Sequence, residues 1–240
     1  MDSLIIRSRD VITNFVFLPV ISAGISYGTV AVLTPASPTD PPAAIHPDKN
    51  LALRGYIATT AYLGLVDIPG GSADPLAPQL AGLFADNRVP VFSHVYKVYD
   101  WDWSCNCRGA PINDYEVTLA GMGAKPGEII QVPGSGYDIG RMPGGYSVMV
   151  LYAGSNRITL KYTRDDDVIH GYTIHLENVG VDPSLQALYD STNAAGRVRL
   201  PALYAGQGLG RALGNEIQVA IRDTGAFLDP RSHLDWWQGR

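Results

Sequence analysis

The chain has 240 residues, 46% of them hydrophobic, and carries a formal charge of −5 at pH 7. That apolar fraction supplies a sizeable core and excludes global disorder, and an acidic chain with no basic block excludes a nucleic-acid surface, which needs clustered Lys and Arg against phosphates. With 26 glycines and 17 prolines the chain is punctuated for short strands and many turns rather than for long helices.

Val11 to Leu33 is uncharged and follows Arg7 and Arg9. A run of this length can span a bilayer, and leading arginines favour a cytoplasmic N-terminus. Because Pro19, Gly24 and Gly28 interrupt it, three readings stand: a membrane anchor or uncleaved signal, a cleaved signal, and strands buried in a soluble domain. The first is adopted here. Thr34 to Pro47 then carries Pro35, Pro38, Pro41, Pro42 and Pro47, a stiff extended composition that reads as a spacer. The expected organisation is therefore a hydrophobic signal or anchor over residues 1–33, a proline-rich spacer over 34–49, and a β-rich domain over 50–240. Anchor, spacer and domain in this order place the domain on the extracytoplasmic side, membrane-anchored or secreted.

Within the domain, Ser72 to Phe84 predicts a short helix, since Leu76, Leu80 and Leu83 fall on one helical face. Val89 to Tyr99 is rich in β-branched and aromatic residues and predicts a strand. It runs into Asp100-Trp101-Asp102-Trp103, whose two indoles share a face of an extended chain and form either a packing edge or a platform for a sugar ring or partner. Cys105 and Cys107 are too few for a zinc site of their own, and one intervening residue makes a mutual disulfide geometrically hard. Further strands are predicted at Glu116 to Gly121, Ile129 to Pro133, Tyr146 to Tyr152, Arg157 to Tyr162 and Gly171 to Asn178. In the last of these Tyr172, Ile174 and Leu176 lie on one side and Thr173, His175 and Glu177 on the other. Ser184 to Asn193 predicts a short helix with Ser184 as N-cap, and Glu216 to Arg222 a final strand alternating Glu, Gln, Ala and Arg against Ile, Val and Ile. The fold class that follows is mainly β: antiparallel sheets in a β-sandwich-like core with one or two short helices, preceded by the N-terminal hydrophobic segment.

Three motifs occur in a telling order: Gly171-Tyr172-Thr173-Ile174-His175, then Ala205-Gly206-Gln207-Gly208-Leu209-Gly210, then Gly214-Asn215-Glu216-Ile217-Gln218. Together they resemble the core of the M23 (lysostaphin/LytM-type) zinc peptidases over residues 134–234. In that family a hairpin delivers Tyr-x-x-His, a Gly-Gln-x-x-Gly turn follows, and the next strand carries a His-x-His metal pair. The segment Gly134-Ser135-Gly136-Tyr137-Asp138 has the spacing of the family's His-x-Gly-x-Asp. The chain departs from the pattern where Gly134 stands for a histidine ligand, where Glu216 and Gln218 stand for His-x-His, and in the insertion around Ser184 to Asn193.

The resemblance implies Asp138, His175 and Glu216 as the chemistry-bearing residues. A zinc peptidase needs three protein ligands and an open position for water; glycine supplies no ligand and an amide oxygen binds zinc poorly. No cofactor is therefore expected, with a divalent cation on Asp138 and Glu216 as the alternative. A second alternative uses Asp138 and Glu216 as the two carboxylates of a glycoside hydrolase, with His175 tuning a pKa or holding substrate. The reading preferred from the sequence is a non-catalytic M23-like module for binding or assembly at the cell envelope, its partner a cell-wall glycan, peptidoglycan or envelope protein, and its membrane contact through residues 11–33. Trp101, Trp103, Tyr172 and Gln218 are the candidate binding residues, with Trp236 and Trp237 as further contact surface.

Overall fold

A computed structural model describes residues 26–68, 74–137, 139 and 145–240. The strands are β1 (Gly28–Ala31), β2 (Tyr56–Ala58), β3 (Phe92–Asp102), β4 (Cys107–Pro111), β5 (Leu119–Gly123), β6 (Ile129–Gln131), β7 (Val148–Gly154), β8 (Arg157–Lys161), β9 (Tyr172–Glu177), β10 (Val179–Val181), β11 (Arg199–Leu203), β12 (Gly208–Ala212), β13 (Glu216–Asp223) and β14 (Ala226–Leu228). Three α-helices accompany them among the described residues, α1 (Leu51–Arg54), α2 (Pro183–Ala194) and α3 (His233–Trp236). The domain is mainly β. Its large antiparallel sheet runs β1-β11-β7-β8-β9-β13-β5-β3-β2, with β14 paired to β13 and β4 to β3, and β10-β12-β6 form a second, three-stranded sheet.

Strand alternation sets the two faces of the large sheet. Ile174 and Leu176 of β9 and Val219 and Ile221 of β13 point inward and are fully buried. They share one apolar cluster with Ile130 of β6, Val179 of β10, Leu209 of β12, Leu185 and Tyr189 of α2, and Trp236 and Trp237. The core thus lies between the large sheet and a layer made of the small sheet and helices. On the other face β9 presents Thr173, His175 and Glu177, and β13 presents Glu216, Gln218, Ala220 and Arg222.

Local chemistry explains several departures from the predicted elements. The helix expected over Ser184 to Asn193 is capped two residues earlier: Asp182, not Ser184, caps it, accepting from the Ser184 and Leu185 N–H groups, with Pro183 at the first helical position. Of the helix expected over Ser72 to Phe84, residues 72 and 73 lie outside the described residues and the rest holds only a 3₁₀ turn at Leu80–Leu83; Leu80, Leu83 and Phe84 are buried, whereas Leu76 is exposed. Cys105 and Cys107 are joined as a disulfide in the hairpin between β3 and β4, a pairing the sequence spacing argued against.

The hydrophobic N-terminal stretch divides. Residues Gly28–Ala31 pair with β11, Val30 is buried, and the Leu33 N–H donates to the Arg164 carbonyl, so this end of the expected anchor is an edge strand of the domain. Residues 11–25 lie outside the described residues, and no described helix is long and apolar enough to cross a membrane. The proline-rich segment is likewise no free spacer. It is laid against the sheet: the Asp166 N–H donates to Thr34 O at 2.8 Å, Ala43, His46 and Lys49 are buried, and the Lys49 ammonium meets Asp166 at 2.8 Å. Prolines keep the segment extended, while the residues between them supply the polar groups that fasten it.

Asp166 also receives Arg197 at 2.7 Å, so one buried carboxylate holds two cations. Burial pushes its carboxyl up, but Arg197 and Lys49 overcome this and leave it below the ordinary aspartate value. Removing one partner of such a group strands a buried charge, at a cost of roughly 3–5 kcal/mol. Asp166→Ala is therefore expected to lower stability by about that amount, read as a lower urea midpoint at unchanged denaturant slope; a loss under about 1 kcal/mol would show that the clamp contributes little.

Candidate functional site

The residues singled out by sequence fall in three places. Asp138 lies outside the described residues. Glu216, Gln218 and His175 share the outer face of the large sheet, as their alternation predicts, and register decides how far apart they stand. Gln218 pairs with Glu177 and Ala220 with His175, which puts Glu216 four residues along β13 from the position beside His175, about 13 Å at the usual strand rise. The two do not form one constellation.

Glu216 sits at the open end of this face. Its carboxylate accepts from His94 Nδ1 at 2.5 Å, from Gln218 Nε2 at 2.8 Å, from Tyr96 at 3.3 Å, and from the Ser93 hydroxyl. Ser93, His94 and Tyr96 belong to β3, two strands away, with β5 in between. Gly121 on β5 is opposite Gln218 on one side and His94 on the other, and a β-carbon there would collide with the Glu216 carboxyl group. The missing side chain at Gly121 is what lets a glutamate cross a strand. Burial would raise the Glu216 carboxyl, but donation from Ser93, His94 and Gln218 outweighs it and holds the group below the ordinary glutamate value.

His175 is sealed. The segment from Asp48 through α1 lies over it, and only about 1% of its surface is exposed. Thr159 Oγ1 donates to Lys49 O at 2.6 Å and so accepts from His175 Nδ1 at 3.0 Å, which fixes the neutral Nδ1–H tautomer and leaves Nε2 without a partner. Burial first, then the nearby Arg222 guanidinium, push this imidazole well below the usual histidine value. Beside it Asp48 accepts from Arg54 at 2.7 Å and from Arg222 at 2.8 Å. Burial pushes the Asp48 carboxyl up, and the two guanidiniums override it, bringing it down to about 2.

The proposed aromatic contacts also separate. Trp236 and Trp237 are buried in the core, their indole N–H groups each donating at 2.9 Å, to Asp229 O and Pro230 O respectively, so they are not contact surface. Tyr172 faces the inner side of the sheet, nearly buried against Trp236, its hydroxyl donating to Asp74 at 2.9 Å, and so does not share a surface with Gln218. Trp101 is half-buried and donates to Asn106 Oδ1 at 3.3 Å, whereas Trp103 is exposed in the turn after β3. Nine residues separate His94 from Trp103, so the indole stands about 30 Å along the strand direction from the Glu216 cluster.

Ser93, His94, Tyr96, Asp48 and Arg54 were not singled out by sequence. The alternation of β3 puts His94 and Tyr96 on one face, but their partner comes from a strand more than a hundred residues on. Chemically, the Glu216 cluster is an ionised, well-hydrogen-bonded carboxylate framed by an exposed imidazole and phenols. The fold and this face define an antiparallel β domain with a polar outer surface, part sealed and part open. Compared with family models, characterised proteins and solved structures, the chain finds no match.

Gly121→Ala should displace the Glu216 side chain, and loss of its donors should raise the Glu216 pKa toward the ordinary value in a ¹³C-carboxyl NMR titration, with a stability loss of about 1–3 kcal/mol; an unmoved titration would show that the carboxylate does not depend on crossing β5. Asp48 gives a separate pH signature. Its folded pKa is depressed to about 2, so its contribution is present above the unfolded value near 4 and is lost as pH falls through 2. The acid limb of the stability curve should therefore steepen between about pH 4 and pH 2, by about 2 kcal/mol, and flatten there in Asp48→Asn.

Proposed function

We propose that this chain is a non-catalytic module for binding or assembly at the cell envelope, built on an M23-like scaffold over residues 134–234 and working outside the cytoplasm. One observation carries the non-catalytic half of this reading. The Glu216 carboxylate, at the position where the resembled family has a metal-binding histidine, is ionised and has its lone pairs taken up by four side chains. An acid held below its usual pKa is a poor proton donor, and one so fully hydrogen-bonded is a poor nucleophile. His175, at the family's non-ligand histidine position, is neutral and cut off from solvent. What the open end of the face offers instead is recognition surface, in the exposed His94 and the half-buried Tyr56 and Tyr96, whose rings pack edge to face at 5.2 Å.

The order of the Tyr-x-x-His, Gly-Gln and final-strand motifs supports the envelope half. The partner this suggests is peptidoglycan or another cell-wall glycan, or an envelope protein; of the expected segment 11–33, Gly28–Ala31 belong to the domain, and the remaining run, 11–25, is of a length that suits a signal rather than a membrane span. The alternative is a hydrolase, with Asp138 and Glu216 as a carboxylate pair or a divergent metal site. Ser93 and His94 beside Glu216 keep that reading worth testing, yet both donate to the same carboxylate oxygen, whereas a serine nucleophile has to hand its proton to the imidazole.

Co-sedimentation with purified sacculi, run beside dye release from labelled sacculi, separates the two. Binding without release is the expected result, and failure of the natural chain to sediment with sacculi would overturn the envelope reading. Release by the natural chain that disappears in Glu216→Gln would replace the binding module with a hydrolase.

A further inference from the structure

At the far end of β3 from Glu216, Trp103 forms one wall of a cleft of about 340 Å³ whose other walls are the proline-rich segment and the turn at Asp167 to Ile169. Small-molecule sites span roughly 300–1,000 Å³, so the space suits one compact ligand. Its apolar side is unusually bare: Trp103 is 52% exposed and Ile169 61% exposed, on a wall completed by Pro35. Its polar side is built rather than incidental. His46 is more than nine-tenths buried, packs edge to face with Trp103 at 5.7 Å, and lines the cleft with Asp40 and Asp167.

The imidazole is set to donate. The Asp48 N–H donates to His46 Nδ1 at 3.2 Å, which places the ring proton on Nε2, and burial holds the ring below the usual histidine value, so it is neutral at neutral pH. Nε2 is 3.8 Å from Asp40 Oδ2, too far for a direct hydrogen bond. A hydroxyl group between them, accepting from Nε2–H and donating to the carboxylate, satisfies both, which neither a pure donor nor a pure acceptor does. Two of the carboxylates are not bare charges. Asp167 is met by His170 at 2.8 Å and by Lys161 at 4.0 Å, and Asp48 by two guanidiniums. Asp40 keeps its charge, since its one ionisable neighbour, His46, is neutral, so an organic cation is the competing ligand for this cleft and the choline arm of the test addresses it.

We propose that this cleft binds a neutral pyranose ring, its C–H face against the Trp103 indole and its hydroxyls on His46, Asp40 and Asp167. Such a ring is apolar on its faces and hydroxylated round its edge, matching a bare aromatic surface beside carboxylate acceptors and an imidazole N–H donor. The inference rests on the binding reading above and gives it a ligand class, but its site is separate from the Glu216 cluster.

The test is titration of the full chain with chitotetraose, cellotetraose and choline chloride, following the Trp103 indole N–H resonance, assigned by its absence in Trp103→Phe. A saturable shift with either sugar, none with choline, and binding at least tenfold weaker in both Trp103→Ala and Asp40→Ala is expected. Trp103 and Asp40 are both surface-reaching, and two independent variants keep the test alive if one fails to fold. Saturation by choline alone, no response to either sugar, or unchanged affinity in the variants overturns the proposal. If sugars fail while sacculi still sediment the protein, only the cleft is lost. If a sugar binds at Trp103 while sacculi do not, the cleft stands and the envelope reading falls.

Discussion

Two adjacent residues, Asp48 and Lys49, hold the architecture together through charge buried between the N-terminal segment and the outer face of the large sheet. Asp48 bonds Arg54 within its own segment and Arg222 on β13; Lys49 bonds Asp166, which in turn bonds Arg197. Each pair costs desolvation that a direct Coulomb gain only partly returns, and is worth keeping because its partners are many and well placed. The ions also decide position. An apolar segment can slide over a sheet, whereas one pinned by two carboxylates of fixed partners cannot.

That pinning divides a single sheet face into two environments. Beneath the segment, His175, Thr173 and Arg222 become interior groups, with Thr173 Oγ1 and His175 Nε2 left unpaired. Beyond it, Glu216 and His94 stay within reach of solvent. Glu216 and Arg222, six positions apart on one strand, thus differ in access for reasons that lie more than a hundred residues earlier in the chain. The binding reading draws on this division more than on any one side chain, because His175 is on the sealed side and the Glu216 carboxylate on the open side is fully engaged by its hydrogen-bond donors.

Much of this was legible in the sequence. Period-two alternation in β9 and β13 placed Thr173, His175 and Glu177, and Glu216, Gln218 and Arg222, on common faces, and the structure keeps that assignment. Alternation says which face and not which row, so the gap between Glu216 and His175 could not be read from it. Composition misled where it was local: prolines and an uncharged run suggested a spacer and an anchor, yet Val30 and Lys49 are buried through contacts with residues more than a hundred positions away, and His46 packs against Trp103 from another element. The aromatic pair Trp236 and Trp237 reads equally well as surface or core, and only the closure of the inner layer over them settles it as core.

The bare stretch of β5 at Gly121 has a consequence for how three strands find their alignment. Pairing of Glu216 with Gly123 and of Gln218 with Gly121 is the arrangement that opens a lane across β5 for the Glu216 side chain. A shift of β13 by two residues would keep every hydrophobic side chain on its proper face, so burial alone does not forbid it. It would, however, carry the glutamate out of line with its donors on β3. A glycine and a carboxylate thus act as a key between non-neighbouring strands, selecting among registers that the hydrophobic pattern leaves equivalent.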